Sequence, residues 1–138
     1  IPGRTFITVD FRHPDDNVLS QMDRALRDSV AEICGKSGLE YELEQIFYYA
    51  PIPFDKGCVS AVRAGADKMG YSAREIVTGA GHDACFIAQS APTSMIFIPC
   101  IDGISHNEVE DIKPEWATAG ANVMLQAILE KAGVSEQP

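Results

Sequence analysis

Between Arg4 and Arg12 apolar and polar side chains alternate. Ile7, Val9 and Phe11 share one parity, and Thr8, Asp10 and Arg12 share the other. A period of two is the signature of a strand with one wet face. It predicts a strand over 4–12 with Arg12 on the polar side. Pro14 ends it, and Asp15 or Asp16 can cap the next helix. The period then changes. Val18, Leu19, Met22, Ala25, Leu26, Val30 and Ile33 recur at helical spacing until Gly35 and Gly38 stop the run. Alternation returns over 40–49, where Tyr41, Leu43 and Phe47 oppose Glu40, Glu42 and Glu44. Strand, helix, strand is a β-α-β half unit whose helix covers one sheet face only. Its core is small, and it needs partner strands that the chain does not obviously supply.

Ala50-Pro51-Ile52-Pro53 reads as a boundary, because proline stiffens the chain and removes sheet donors. Beyond it, Asp55 can cap a helix running through Met69, with Val59, Val62, Ala66 and Met69 on one face and Gly70 as its stop. A short strand over 75–78 and a short helix over 83–89 come next. The run 94–99 is apolar enough for a central strand, and a polar loop spans 102–111. Pro114 suits the first turn of a last helix over 115–131. Val123, Met124, Ala127 and Ile128 form its predicted buried stripe, and Ala117, Ala119, Gly120 and Ala121 permit close approach. These elements predict an α/β fold: a partial β-α-β domain over 1–50 and a three-layer α/β region over 51–138.

Composition narrows the function classes. A chain of 138 residues with 46% apolar content can form one domain or pieces of two. A formal charge of −9 disfavours a nucleic-acid partner, since phosphate neutralisation takes clustered Lys and Arg. No apolar run approaches membrane length, so no membrane partner is expected. The chain opens Ile1-Pro2-Gly3, without methionine or a signal-like leader, which suggests a truncated or processed cytoplasmic product. Cys34, Cys58, Cys85 and Cys100 form no CxxC, and read as buried, reduced thiols.

Three residues could carry chemistry. His106 lies in a loop after an apolar strand, where open α/β sheets place ligands, and a neutral imidazole suits zinc or manganese. Ser105, Asn107, Glu108 and Glu110 could orient its ring. The plain alternative is a surface or capping histidine, and one histidine does not make a metal site. His82 follows Gly79-Ala80-Gly81, where a substrate could meet backbone amides at the start of the next helix, and Asp83 could cap that helix or fix the His82 tautomer. The plain alternative there is a turn that needs glycine. Arg12 could bind a substrate carboxylate with its guanidinium fork, or could simply pair with Asp10 or Asp15. His13 reads as surface, Phe97 and Trp116 as core, and the glutamates at 40, 42 and 44 as a solvated face. No nucleophile–base pair and no paired carboxylates beside a histidine stand out, so acyl transfer through Ser105 or a cysteine has no support.

Four segments together resemble a known family: Ile1-Pro2-Gly3 with Val9-Asp10-Phe11-Arg12-His13-Pro14; Gly79-Ala80-Gly81-His82-Asp83-Ala84; Met95-Ile96-Phe97-Ile98-Pro99-Cys100; and Gly103-Ile104-Ser105-His106-Asn107 with Glu110. They are similar to the C-terminal part of the N-carbamoyl-L-amino-acid hydrolases, dinuclear-metal amidohydrolases grouped with β-ureidopropionase and allantoate amidohydrolase in the aminoacylase/carboxypeptidase superfamily. The resemblance implies the C-terminal portion of a three-layer zinc-hydrolase domain, preceded by half of a ferredoxin-like lid that also makes a homodimer. It implies two zinc or manganese ions in the intact parent, with His106 as a metal ligand. Arg12 would hold the substrate carboxylate, and Gly81 and His82 the amide or carbamoyl end of a small-molecule substrate. The implied chemistry is attack by metal-bound hydroxide on a ureido carbon. The other metal ligands, the glutamate base and the lid histidine and asparagine are not in this sequence, so the chain alone is expected to be an inert fragment with no catalytic base. Allantoate amidohydrolase or a related ureidohydrolase is the near alternative, and a non-catalytic α/β binding or dimerisation module the distant one.

Overall fold

Asp15 opens the first helix as its position suggests. In the computed structural model, which describes residues 2–133, its carboxylate accepts a hydrogen bond from the Asn17 N–H at 2.8 Å. Helix α1 runs Asp16–Ser37, passes through Gly35, and ends where Gly38 takes the left-handed conformation at φ 65°. Glycine adopts that turn without a Cβ penalty. Val18, Leu19, Met22, Leu26, Val30 and Cys34 lie half-buried along one stripe, whereas Ala25 and Ile33 are exposed. No residue of α1 is fully buried.

The chain divides into two units, Ile1–Ile52 and Pro53–Pro138. Within the first, the Tyr48 hydroxyl donates to the Asp16 carboxylate and ties the segment after α1 back to that helix's first turn. The hydrogen bond to that carboxylate pushes the Tyr48 phenol upward from its usual range.

The second unit is organised by two long helices. Asp55 caps α2 (Lys56–Lys68) by accepting from the Cys58 N–H at 2.7 Å, and the chain turns away at Gly70 with φ 71°. Pro114 sits in the first turn of α4 (Pro114–Ala132), after the short α3 (Asp83–Ile87). Helices α2 and α4 pack against each other. Ala61, Gly65 and Ala66 are buried on α2, and Val123 on α4. The seam is narrow because it is built from small residues. A methyl at Gly65 would stand 3.0 Å from the Val123 carbonyl oxygen, and one at Gly120 only 2.7 Å from Ile98 Cγ2. The segment 93–96 is half-buried, as is Ile98 beside Gly120. At the C-terminal side of α2, the Asn122 amide donates to the Tyr71 hydroxyl at 3.1 Å.

Several expectations need correction. The strands predicted over 4–12, 40–49, 75–78 and 94–99 do not form: among the described residues none lies in a strand. Alternation sets which face a strand would bury, but the hydrogen bonds of a ladder come from another segment. Side chains meant for a buried face are accordingly wet, Ile7 at 74% and Val9 at 52% exposure. Phe97 is also exposed, not core, and Trp116 only half-buried. On α4, Met124 and Ile128 point to solvent while Val123 is buried and Ala127 half-buried. The close approach to α2 selects the small side of α4 rather than its most apolar side. The four cysteines are free and half-buried, not buried.

Candidate functional site

Helix α3 is short, and its start is unusual. His82 itself is the N-cap, in extended conformation, and its Nδ1 accepts the Ala84 N–H at 3.0 Å. Asp83, expected to cap or to fix the ring, instead lies in the first turn. A ring nitrogen that accepts carries no proton in the neutral imidazole, so hydrogen-bond logic assigns the proton to Nε2. His82 is exposed, and its Nε2–H is therefore a donor available to a carbonyl oxygen. Gly81 beside it is exposed, with open space where a Cβ would sit. The Ala84 amide, one of the donors that a substrate could have used, is taken up by His82.

His106 occupies the loop between residues 100 and 111. Its φ is 55°, in the left-handed region. Few non-glycine residues sit there, although histidine, asparagine and aspartate do so more than others. The His106 N–H donates to Glu110 Oε2 at 2.7 Å, and the Cys100 thiol donates to Glu110 Oε1 at 3.6 Å. Partial burial and this carboxylate push the Cys100 thiol upward. Glu110, one of the residues expected to orient the His106 ring, grips the backbone instead. Asn107 Oδ1 accepts from the Val109 N–H at 3.1 Å.

Arg12 belongs to the first unit. Its guanidinium pairs with Asp10 two residues back, Nη2 to Oδ2 at 2.6 Å and Nε to Oδ1 at 3.2 Å. Hydrogen bonding to Arg12 holds the Asp10 carboxyl below its usual range, and raises the Arg12 guanidinium in turn. A carboxylate thus lies in the fork that a substrate carboxylate would enter. His13, expected at the surface, is half-buried, and its Nδ1 accepts the Asp15 N–H at 3.0 Å.

The structure brings His106, Glu110 and Cys100 together, and His82 forms a separate set with Ala84. Among the described residues no three His, Cys, Asp or Glu side chains gather as a metal cage. The residues present do not by themselves fit a metal ion, for which three or more ligands are usual. Two features carry no signal in the sequence. Histidine is not a usual N-cap residue, so nothing flags His82 as one. The Glu110 grip joins a side chain to a backbone amide, which leaves no periodic pattern.

Residues 4–130 match the family model of peptidase family M20/M25/M40, and the chain belongs to that family. Within it, the chain is 45% identical over 136 residues to the N-carbamoyl-L-amino-acid amidohydrolase of Rhizobium meliloti, covering 99% of this chain and 33% of that protein. It is 36% identical over 110 residues to the allantoate amidohydrolase of Escherichia coli strain K12, covering 80% of this chain and 27% of that protein. Among solved structures, an amidase of the hydantoinase/carbamoylase family from Burkholderia multivorans superposes with a TM-score of 0.86 at 64% identity, covering 90% of this chain and 30% of that one. The chain thus spans about a third of the length of the relatives it matches.

Proposed function

We propose that this chain is part of an amidohydrolase that cleaves the carbamoyl C–N bond of N-carbamoyl-L-amino acids. The observation that carries the reading is the 45% identity to the Rhizobium meliloti enzyme across nearly the whole chain, a span that includes Arg12, Gly81, His82 and His106. In this reading residues 1–50 are half of a lid and dimerisation domain, and 51–138 the C-terminal part of a three-layer catalytic domain. The extended segments would gain their ladder partners from the remainder of the polypeptide.

Each residue has one role. Arg12 exchanges Asp10 for the substrate carboxylate, keeping a two-point hydrogen bond in either state. His82 donates from Nε2 to the carbamoyl oxygen, and Gly81 leaves room for that group to approach. His106 contributes one imidazole to a zinc or manganese pair whose other ligands lie outside this chain. These residues supply no water-activating base, so no bond-breaking step is assigned to them, and the 138-residue chain alone is inactive.

Exchanging this chain for the matching third of the Rhizobium meliloti enzyme tests the reading. The chimera should hydrolyse an N-carbamoyl-L-amino acid and lose that activity on His106→Ala. A chimera indifferent to His106→Ala would overturn it. Similarity to the Escherichia coli enzyme favours a second reading, allantoate as substrate, and a panel of both compounds decides between them. A binding module without catalysis would show melting insensitive to chelator and no turnover in the chimera.

A further inference from the structure

The loop after residue 100 is closed at its base, where the Ile101 N–H donates to the Asp111 carbonyl at 2.8 Å. Three of its residues have positive φ: Asp102 at 55°, Gly103 at 70° and His106 at 55°. Two of these carry a Cβ, so the backbone is held against its own preference. On the first limb the Gly103 N–H donates to the Cys100 carbonyl at 3.1 Å, and on the second the Glu110 N–H donates to the Asn107 carbonyl at 3.0 Å. These bonds are local to each limb. One side chain joins the limbs. Glu110 takes the His106 amide on one oxygen and the Cys100 thiol on the other. A hydrogen bond to an ionised acceptor is roughly twice as strong as a neutral one. The His106 side chain meanwhile remains exposed, and among the described residues nothing hydrogen-bonds its ring.

We infer that Glu110 is the positioning residue of His106. Its carboxylate fixes the left-handed backbone at 106 and thereby the direction of the imidazole, without touching the ring. This differs from the usual arrangement, in which a partner orients a histidine through its second ring nitrogen. It leaves both ring nitrogens available. The loop alone carries the geometry; the consequence for hydrolysis rests on the function proposed above.

Isotope-labelled chain provides the first measurement. The His106 amide should resonate downfield and exchange slowly for an exposed loop. Glu110→Ala should speed its exchange about tenfold, the loss of one charge-assisted hydrogen bond. Glu110→Asp, one methylene short, should do the same, and Glu110→Gln, which keeps one acceptor oxygen, should restore part of the protection. An unchanged His106 amide in Glu110→Ala overturns the inference, as does an equal change at every amide from 101 to 111. The second measurement is turnover of the chimera. Glu110→Ala should lower kcat more than it alters KM, with partial rescue by Glu110→Gln. If the amide responds and kcat does not, the positioning stands and the role of His106 in hydrolysis falls.

Discussion

Gly65 meets Val123 at a distance that leaves no room for a side chain: a methyl there would lie 3.0 Å from the Val123 carbonyl oxygen and 3.2 Å from Gln126 Cβ. The obstacle is partly backbone, which cannot swing aside. Gly65→Val should therefore push α2 and α4 apart and destabilise the second unit by about 1–3 kcal/mol. Gly35 is the contrasting case, a glycine inside α1 with open space around it. Gly35→Ala should raise helicity and stabilise by about 0.5–1 kcal/mol. Circular dichroism melts of the two variants check the pair, and equal effects would contradict the packing described.

Asp55 gives the second unit a pH dependence. Hydrogen bonds from the Cys58 amide hold its carboxyl below the ordinary value of 3.8. A depressed pKa in the folded state means that the stabilisation is complete above the unfolded value and is lost as pH falls through the folded one. Melting temperature should thus fall below about pH 4, and Asp55→Asn, which keeps a capping oxygen that does not titrate, should flatten that slope. An unchanged slope in the variant would remove Asp55 from the account. Asp10 and Asp23 are lowered by Arg12 and Arg27 and leave a residual slope of the same sign.

Arg12 should behave as a competed binding group. In the chimera, Arg12→Lys loses the fork geometry, and kcat/KM for a carboxylate-bearing substrate should drop about 10- to 100-fold. Asp10→Asn should act the other way and lower KM, because the resident carboxylate no longer competes. A raised KM in Asp10→Asn would mean that the pair orients Arg12 rather than blocking it.

His82 has a cap to make and a proton to present, and these separate by substitution. Nitrogen NMR of the neutral ring should find the proton on Nε2. His82→Asn retains a capping acceptor and should keep the fold, while losing turnover in the chimera. His82→Ala should lose both, with a capping cost of about 1 kcal/mol. A proton found on Nδ1 would refute the assignment.

The helices are legible in the sequence because their signals are local. Asp15, Asp55, Gly38, Gly70 and Pro114 each mark an end within a turn or so of where the chain bends. The fate of the alternating segments is not, since the partner of Val9 or Phe47 is not written in the alternation around it. The buried side of α4 escapes a hydropathy reading for a related reason. Hydropathy points to Met124 and Ile128, whereas contact with α2 rewards Val123, whose backbone carbonyl comes up against Gly65. Of the site, the Asp10–Arg12 pair is visible in shared parity, and His106 in its polar loop after an apolar run. The grip of Glu110 depends on a left-handed amide that no composition reveals.

Among the described residues, only Ala61, Ala66, Ala84 and Val123 are buried apolar residues, and no large side chain is fully enclosed. Unfolding would therefore hydrate little hydrocarbon that water does not already touch. The heat-capacity increment of the isolated chain should be small for its length, and its stability curve correspondingly flat, with a broad thermal transition.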